Sequence, residues 1–211
     1  AAAAIEAYKQ EIMEPGDKIV EGGEYVHYTL QPQAALTIID QSTGEVKAIV
    51  GGRGDKVANR TLNRATDSTR QPGSTFKVLA AYAPALDGAG MTLATVEDDA
   101  PYAYANGTSL RNYDNRYRGF TSLRTAITYS INVVTVKCLT DIGVDNGFSY
   151  LQDFGFTTLK DSDRVQSLAL GGVTDGVTNL ELTAAYATIA NGGTYTKPRF
   201  YTKILDHDGN V

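Results

Sequence analysis

Tryptophan is missing from this chain, and cysteine, methionine and histidine are scarce: one, two and two among 211 residues. The lone Cys138 excludes an internal disulfide and offers nothing for a cysteine-based zinc cluster. His27 and His207 stand far apart in loop or edge contexts, so there is no sequence basis for a Ser-His-Asp triad. No residue spacing suggests a metal site, and none of the chemistry read below needs a cofactor. No apolar run approaches the roughly 20 residues of a membrane span. Ala1 to Ala4 lack the cationic start of a signal peptide, and without an initial Met the chain reads as a fragment or a processed product. Basic blocks are absent too. A net charge of −5 and a pI near 5.0 argue against a nucleic-acid partner. Sparing use of cysteine is compatible with a place outside the cytoplasm. What remains is 42% hydrophobic and 20% charged, enough for one domain with a core.

The chain is organised around Arg70-Gln71-Pro72-Gly73-Ser74-Thr75-Phe76-Lys77 and the apolar run from Val78 to Leu86. Pro72-Gly73 reads as a tight turn feeding a helix that begins near Ser74. Residues three apart share a helix face, so the Ser74 hydroxyl and the Lys77 amine are expected side by side at the positive end of the helix dipole. That is a nucleophile beside a base. Because the following helix is almost wholly apolar, Lys77 lies at the edge of a core. Partial loss of water lowers its basicity towards neutral pH. Alone, S-x-x-K is expected about once by chance in a chain this size and reads equally as a serine cap with a nearby lysine.

Around this stretch, residues 1–13 read as a short helix and 17–33 as a connector or edge strand. A hairpin follows, with strands over 34–40 and 45–50 about the turn Gln41-Ser42-Thr43-Gly44. Residues 56–73 read as a loop. Pro84 should kink or end the first apolar helix. Residues 91–119, rich in Tyr, Asn and Asp, read as a long surface segment. Helical pattern resumes over 122–129, pauses at Ser130-Ile131-Asn132, and continues through 133–142 to Gly143. Further helices are expected over 144–154 and 179–190. A strand over 195–205 and a turn at His207-Asp208-Gly209-Asn210 close the chain. That turn has no returning strand, which itself reads as truncation. Cys138 and the other apolar residues of its helix are expected in the core. The pause at 130–132 carries a second chemical reading: Ser130 relays a proton towards a leaving amine, and the Asn132 amide binds a substrate carbonyl.

Serine-x-x-lysine with a second Ser-x-Asn motif is the pairing used by penicillin-binding proteins and serine β-lactamases. The chain resembles the transpeptidase domain of class A, high-molecular-weight penicillin-binding proteins. The resemblance rests on Thr43-Gly44-Glu45-Val46 with Ala48 to Gly52, and on Arg70 to Lys77. It rests also on Asn112-Tyr113-Asp114, Tyr117-x-Gly119, Leu123-Arg124 and Ser130-Ile131-Asn132. Leu170-Gly171-Gly172, Gly176-Val177-Thr178, and Ala185-Tyr186-Ala187 through Asn191-Gly192-Gly193 complete it. These matches span most of the chain.

The resemblance implies an α+β fold with a central antiparallel sheet flanked by helices. It also implies a serine D,D-transpeptidase that cross-links peptidoglycan, with Ser74, Lys77 and Ser130 catalytic and Asn132 binding substrate. Stem peptides are the implied substrates and β-lactams the covalent inhibitors of Ser74. The location is extracytoplasmic, with any membrane anchor upstream and absent here. There is no Lys-Thr-Gly or Lys-Ser-Gly in the chain. In the family that third motif supplies a further wall and an oxyanion donor. Residues 1–211 therefore read as the N-terminal part of a single domain, 1–33 a leading helix and connector and 34–211 the motif-bearing core. The rest of the domain would be a partner or a removed segment, and an upstream glycosyltransferase domain is absent. Two alternatives stay open: a non-catalytic β-lactam sensor or scaffold, and a serine β-lactamase. Against the latter, no glutamate begins the E-x-x-L-N pattern of class A enzymes.

Overall fold

The computed structural model describes residues 33–54 and 59–211, together with the strands Asp17–Ile19 (β1) and Tyr25–His27 (β2). The helix expected over 1–13 lies outside the described residues. β1 and β2 pair antiparallel, Asp17 opposite His27, within a unit spanning Ala1–Ala34. The remaining elements belong to a second unit, Ala35–Val211. Among the described residues no helix is long and apolar enough to cross a membrane.

The expected hairpin forms as β3 (Leu36–Ile39) and β4 (Val46–Val50), antiparallel with Leu36 opposite Val50. Its turn is built by Asp40, whose carboxylate accepts from the Ser42 amide and hydroxyl, and by Gly44 at φ 74°. The strand expected over 195–205 does not form. Only Arg199 joins the hairpin, donating its N–H to Gly44 O and accepting from Val46 N–H. Pro198 has no N–H to extend that ladder.

Residues 73–87 make one helical run, α1. It opens as a 3-10 turn at Gly73–Thr75, widens to a π turn at Val78–Tyr82, and ends as α-helix at Ala83–Asp87. Pro84 does not end it. The π turn sets Ala83 N–H on Val78 O, so Pro84 falls in the first turn of the last segment, where no N–H is needed.

Residues 91–119 lie mostly at the surface, as expected, but not as a loop. They fold into two nested antiparallel pairs: β6 (Val96–Asp99) with β9 (Gly119–Ser122), and β7 (Tyr102–Ala103) with β8 (Ser109–Leu110). Strands of two to four residues are too short to show alternation, so their pairing leaves no period in the sequence. Two-residue strands β5 (Thr69–Arg70) and β10 (Val177–Thr178) also pair, inside what reads as loop.

Helices α2 (Leu123–Thr128), α3 (Asn132–Ile142), α4 (Val144–Asp153) and α5 (Asn179–Ala190) fall where the pattern places them. Thr178 caps α5 and Glu181 returns the bond, a reciprocal capping box. The core gathers around α3. Val133, Val136 and Leu139 meet Phe76 and Leu79 of α1, Phe148 and Leu151 of α4, and Leu168. A Cβ on Gly147 would sit 2.3 Å from Ala80 O, so a side chain there would hold α4 off α1. Tyr82 and Thr135 share a buried hydrogen bond of 2.6 Å between α1 and α3. Cys138 is buried in the same helix, and loss of water pushes its thiol up to about 12.

Candidate active site

The nucleophile candidate sits on a braced loop. Gly73 takes φ 56°, and the segment around it, residues 70–75, is held from four directions. Arg70 pairs with Val177. The Gln71 amide meets both backbone groups of Val173, accepting from its N–H at 3.0 Å and donating to its carbonyl. Tyr186 donates to Thr75 O at 2.7 Å. Gly171 lies so close that a Cβ there would come 2.4 Å from Gly73 O. Ser74 is left exposed, and its hydroxyl makes no hydrogen bond among the described residues.

One turn on, Lys77 is buried, 3% exposed. Its ammonium donates to Ser130 O at 2.5 Å, Ser130 Oγ at 2.8 Å and Asn132 Oδ1 at 2.6 Å. All three partners are neutral. Loss of water is therefore uncompensated by any counter-charge, and it lowers the Lys77 pKa to about 8. The structure thus joins Lys77, Ser130 and Asn132 directly. Ser74, one turn before Lys77 on α1, makes no hydrogen bond to any of them.

Ser130 holds its place through backbone strain. α2 ends with Ser130 N–H on Ile127 O and Ile131 N–H on Ala126 O. That is the Schellman arrangement, which puts its C′ residue in the left-handed region and favours glycine there. Here the residue is Ser130, at φ 50°. The reversal turns both the Ser130 carbonyl and its hydroxyl onto Lys77. Ile131 and Ala126 then pack together in the core beside Tyr82 and Leu123.

Two residues that the sequence reading did not single out complete the setting. Asn112 accepts from the N–H groups of Asn132 and Val133 at 3.0 and 3.1 Å, the open end of α3. Asp99, with no exposed surface, accepts from Asn112 Nδ2 at 2.7 Å and from Arg118 N–H at 3.0 Å. Asn112 stood within the Asn-Tyr-Asp match, but nothing local in the sequence marked it or Asp99 as buried. Among the tyrosines of this segment, Tyr102 and Tyr104 pack against the core, whereas Tyr113 is 98% exposed. Among the described residues no cluster of His, Cys, Asp or Glu could hold a metal ion.

An exposed serine thus stands at the head of a buried helix, with a dehydrated lysine one turn later and a strained Ser-x-Asn turn against that lysine. Residues 34–210 match the penicillin-binding protein transpeptidase domain, and the chain belongs to that family. It is 40% identical over 191 residues to penicillin-binding protein 1F of Bacillus subtilis, covering 90% of this chain and 26% of that protein. With penicillin-binding protein 1A of Clostridium acetobutylicum it shares 39% over 194 residues, 86% of this chain and 24% of the relative. The chain therefore spans about a quarter of the length of these curated relatives. The crystal structure of penicillin-binding protein 1A from Haemophilus influenzae superposes with a TM-score of 0.75 at 31% identity, over 92% of this chain and 29% of that one. Penicillin-binding protein A of M. tuberculosis, solved as an imipenem acyl-enzyme complex, shares the fold at TM-score 0.73 and 24% identity. That match covers 84% of this chain and 50% of that one. The α+β fold is that of penicillin-binding transpeptidase domains.

Proposed function

We propose that this chain carries the nucleophile and the second-motif wall of a serine D,D-transpeptidase acting on peptidoglycan stem peptides. The observation that carries the reading is Lys77, buried against the Ser130–Asn132 turn one helical turn after an exposed serine, with its pKa lowered to about 8. Ser74 Oγ attacks the carbonyl carbon of the penultimate D-Ala, and its proton passes to the neutral Lys77 amine. The tetrahedral oxyanion collapses and the C–N bond breaks. Ser130, 2.8 Å from Lys77, relays the proton to the departing D-Ala amine. Asn132 holds a substrate carbonyl with its amide. The amine of a neighbouring stem peptide then takes the acyl group from Ser74. A β-lactam opened by Ser74 stays bound as an ester. Contacts between Ser74 and Lys77 that are open before substrate binds tighten in the reacting complex.

The Lys-Thr-Gly wall of the family is not among these 211 residues. We place it, with its oxyanion donor, on a further segment of the parent domain outside the cytoplasm. Loss of one such donor slows acyl transfer by roughly 10²–10³-fold.

The test is intact mass and peptide mapping after exposure to penicillin G. It uses this chain and the longest natural polypeptide that carries it. A penicilloyl adduct on the Ser74 peptide is expected, absent in Ser74→Ala, and forming faster as pH rises through about 8 and Lys77 loses its proton. The longer polypeptide without any adduct at Ser74 sinks the reading. Rapid loss of the adduct favours a β-lactamase, and a lasting adduct without peptide cross-linking favours a sensor.

A further inference from the structure

Helix α3 has an unusual start. Its N-cap residue is Ile131, whose side chain is committed to the core and makes no capping bond. An apolar N-cap leaves the first amides of a helix without partners, and ordinarily Ser, Thr, Asp or Asn stands there. Ile131 cannot be exchanged for one of these without opening the core beneath Ser130. The missing acceptor comes instead from another element. Asn112 Oδ1 takes the N–H groups of both Asn132 and Val133. The residue before it grips the same place, since Arg111 O accepts from Asn132 Nδ2 at 2.8 Å. Both polar ends of the Asn132 side chain are thereby fixed, one on Arg111 and the other on Lys77.

The orientation of Asn112 is set from behind. Its Nδ2 donates to Asp99 Oδ1 and to Arg116 O at 2.8 Å. A carboxylate only accepts, so the Asn112 amide has one allowed orientation, with its oxygen towards α3. Asp99 is in turn fixed at the end of β6 by the Arg118 amide. The loop between is stiffened by Asn115 N–H on Asn112 O and by Asp114, which accepts from Arg116 N–H and pairs with Arg118. Asn112 is 4% exposed, and all four of its hydrogen-bonding positions are used.

We infer that Asn112, aimed by Asp99, is a positioning residue for the acyl-transfer site: a surrogate N-cap that locks the Ser130–Asn132 turn against Lys77. The inference deepens the transpeptidase reading and rests on it for its catalytic meaning, while its geometry can be tested without catalysis. With the surrogate cap in place, three neutral acceptors keep water from the Lys77 ammonium. Without it the start of α3 frays and water reaches the amine.

The experiment compares Asn112→Ala, Asp99→Asn and the exchanged pair D99N/N112D with wild type and with Leu151→Ala. The last is a buried truncation in α4 whose side chain makes none of these hydrogen bonds. Amide hydrogen exchange at Asn132 and Val133, and the titration of Lys77 followed by 13C NMR at Cε, are measured alongside penicillin acylation. In Asn112→Ala, exchange at those two amides accelerates on the order of tenfold beyond the global change. The Lys77 midpoint rises by on the order of one pH unit towards its ordinary value. Acylation slows in parallel. Asp99→Asn behaves similarly, because the Asn112 amide is then free to flip. In the exchanged pair the Asn at 99 donates to the Asp at 112, which caps α3 again, so protection at the two amides returns most of the way despite the lost bond to Arg116 O, while the carboxylate now at 112 itself keeps the Lys77 midpoint high. Leu151→Ala lowers the melting temperature but leaves the Lys77 midpoint in place. Unchanged exchange and an unchanged midpoint in Asn112→Ala overturn the inference, as does an equal midpoint shift in Leu151→Ala or no recovery of protection in the exchanged pair. The longer polypeptide with wild-type sequence that never acylates Ser74 instead defeats the transpeptidase reading, and the two NMR readouts still decide the cap.

Discussion

At Ser130 a helix C-terminus that calls for glycine has been given a hydroxyl. A non-glycine residue in the left-handed region costs about 1–2 kcal/mol, and glycine relieves it. The hydroxyl in return supplies one of the three acceptors around Lys77, a bond worth about 1 kcal/mol net. Stability and chemistry therefore pull in opposite directions at this residue, and substitutions separate them. Ser130→Gly is expected to melt at or above the wild-type temperature, while acylation by penicillin falls by roughly 10²-fold or more through loss of the relay. Ser130→Ala loses the same hydroxyl but keeps the strain, so it should melt below Ser130→Gly. Calorimetry with acylation rates on the three proteins checks the point. A glycine variant less stable than the alanine variant would show that the turn is not strained. Ser130 and Asn132 were readable as an interruption between helical patterns. The left-handed backbone that turns them onto Lys77 was not, because it depends on the Schellman closure of α2 and on Ile131 entering the core.

Among elements, the head of α1 and the turn after the 3-10 helix Gln166–Leu170 act as one piece. Gly171 is left-handed at φ 75° and lies against the backbone of Gly73. Gly176 lies close to Arg70 in turn, 2.7 Å from its carbonyl for an added Cβ. The Gln71–Val173 pair and the β5–β10 ladder fasten the rest. Gly171→Ala meets rigid backbone rather than a yielding side chain, in a conformation that alanine resists. We expect it to destabilise the fold by about 1–3 kcal/mol and to slow acylation at Ser74 more than tenfold, since a displacement near 1 Å in the reacting group is enough. Unfolding curves and acylation of the folded fraction measure the two effects. A variant equally unstable but fully reactive would mean that Gly171 supports the fold and not the nucleophile. The helix bearing Ser74 and Lys77 was legible because its period and Pro72-Gly73 are local signals. The brace was not. It is made of two-residue strands and glycine contacts between segments distant in the chain, and neither leaves periodicity. The same reason hid Asp99 and Asn112 in what reads as a polar loop: short nested strands bury them, and burial by tertiary pairing has no signature in residue type.

Across the whole unit Ala35–Val211 the apolar surface is unevenly placed. α3 is enclosed on nearly every side, and the helices around it leave the site on a rigid frame. The β3–β4 hairpin differs. Thr37, on the half-buried face with Ile39 and Ile49, bonds Asn179 at the start of α5, at 2.7 Å. On the other face Leu36, Ile38 and Val50 stand about half exposed, at 50%, 50% and 49%, with Ala48 also exposed. Leu36 opposes Val50 and Ile38 opposes Ala48, so these residues form one continuous apolar face. A residue that keeps half its surface in water on folding gains only part of the roughly 1.5–3 kcal/mol that full burial gives. Ile38→Thr keeps the β-branched shape that suits a strand while removing apolar area. We expect it to alter stability by no more than about 0.5–1 kcal/mol, a shift of a few degrees at most. Light scattering on heating should begin later, because a contiguous apolar face is an aggregation liability. Leu139→Ala, in the core of α3, should by contrast cost about 2–5 kcal/mol. A loss in Ile38→Thr as large as that of Leu139→Ala would mean that the outer face of the hairpin is covered in solution and contributes to stability as a core does.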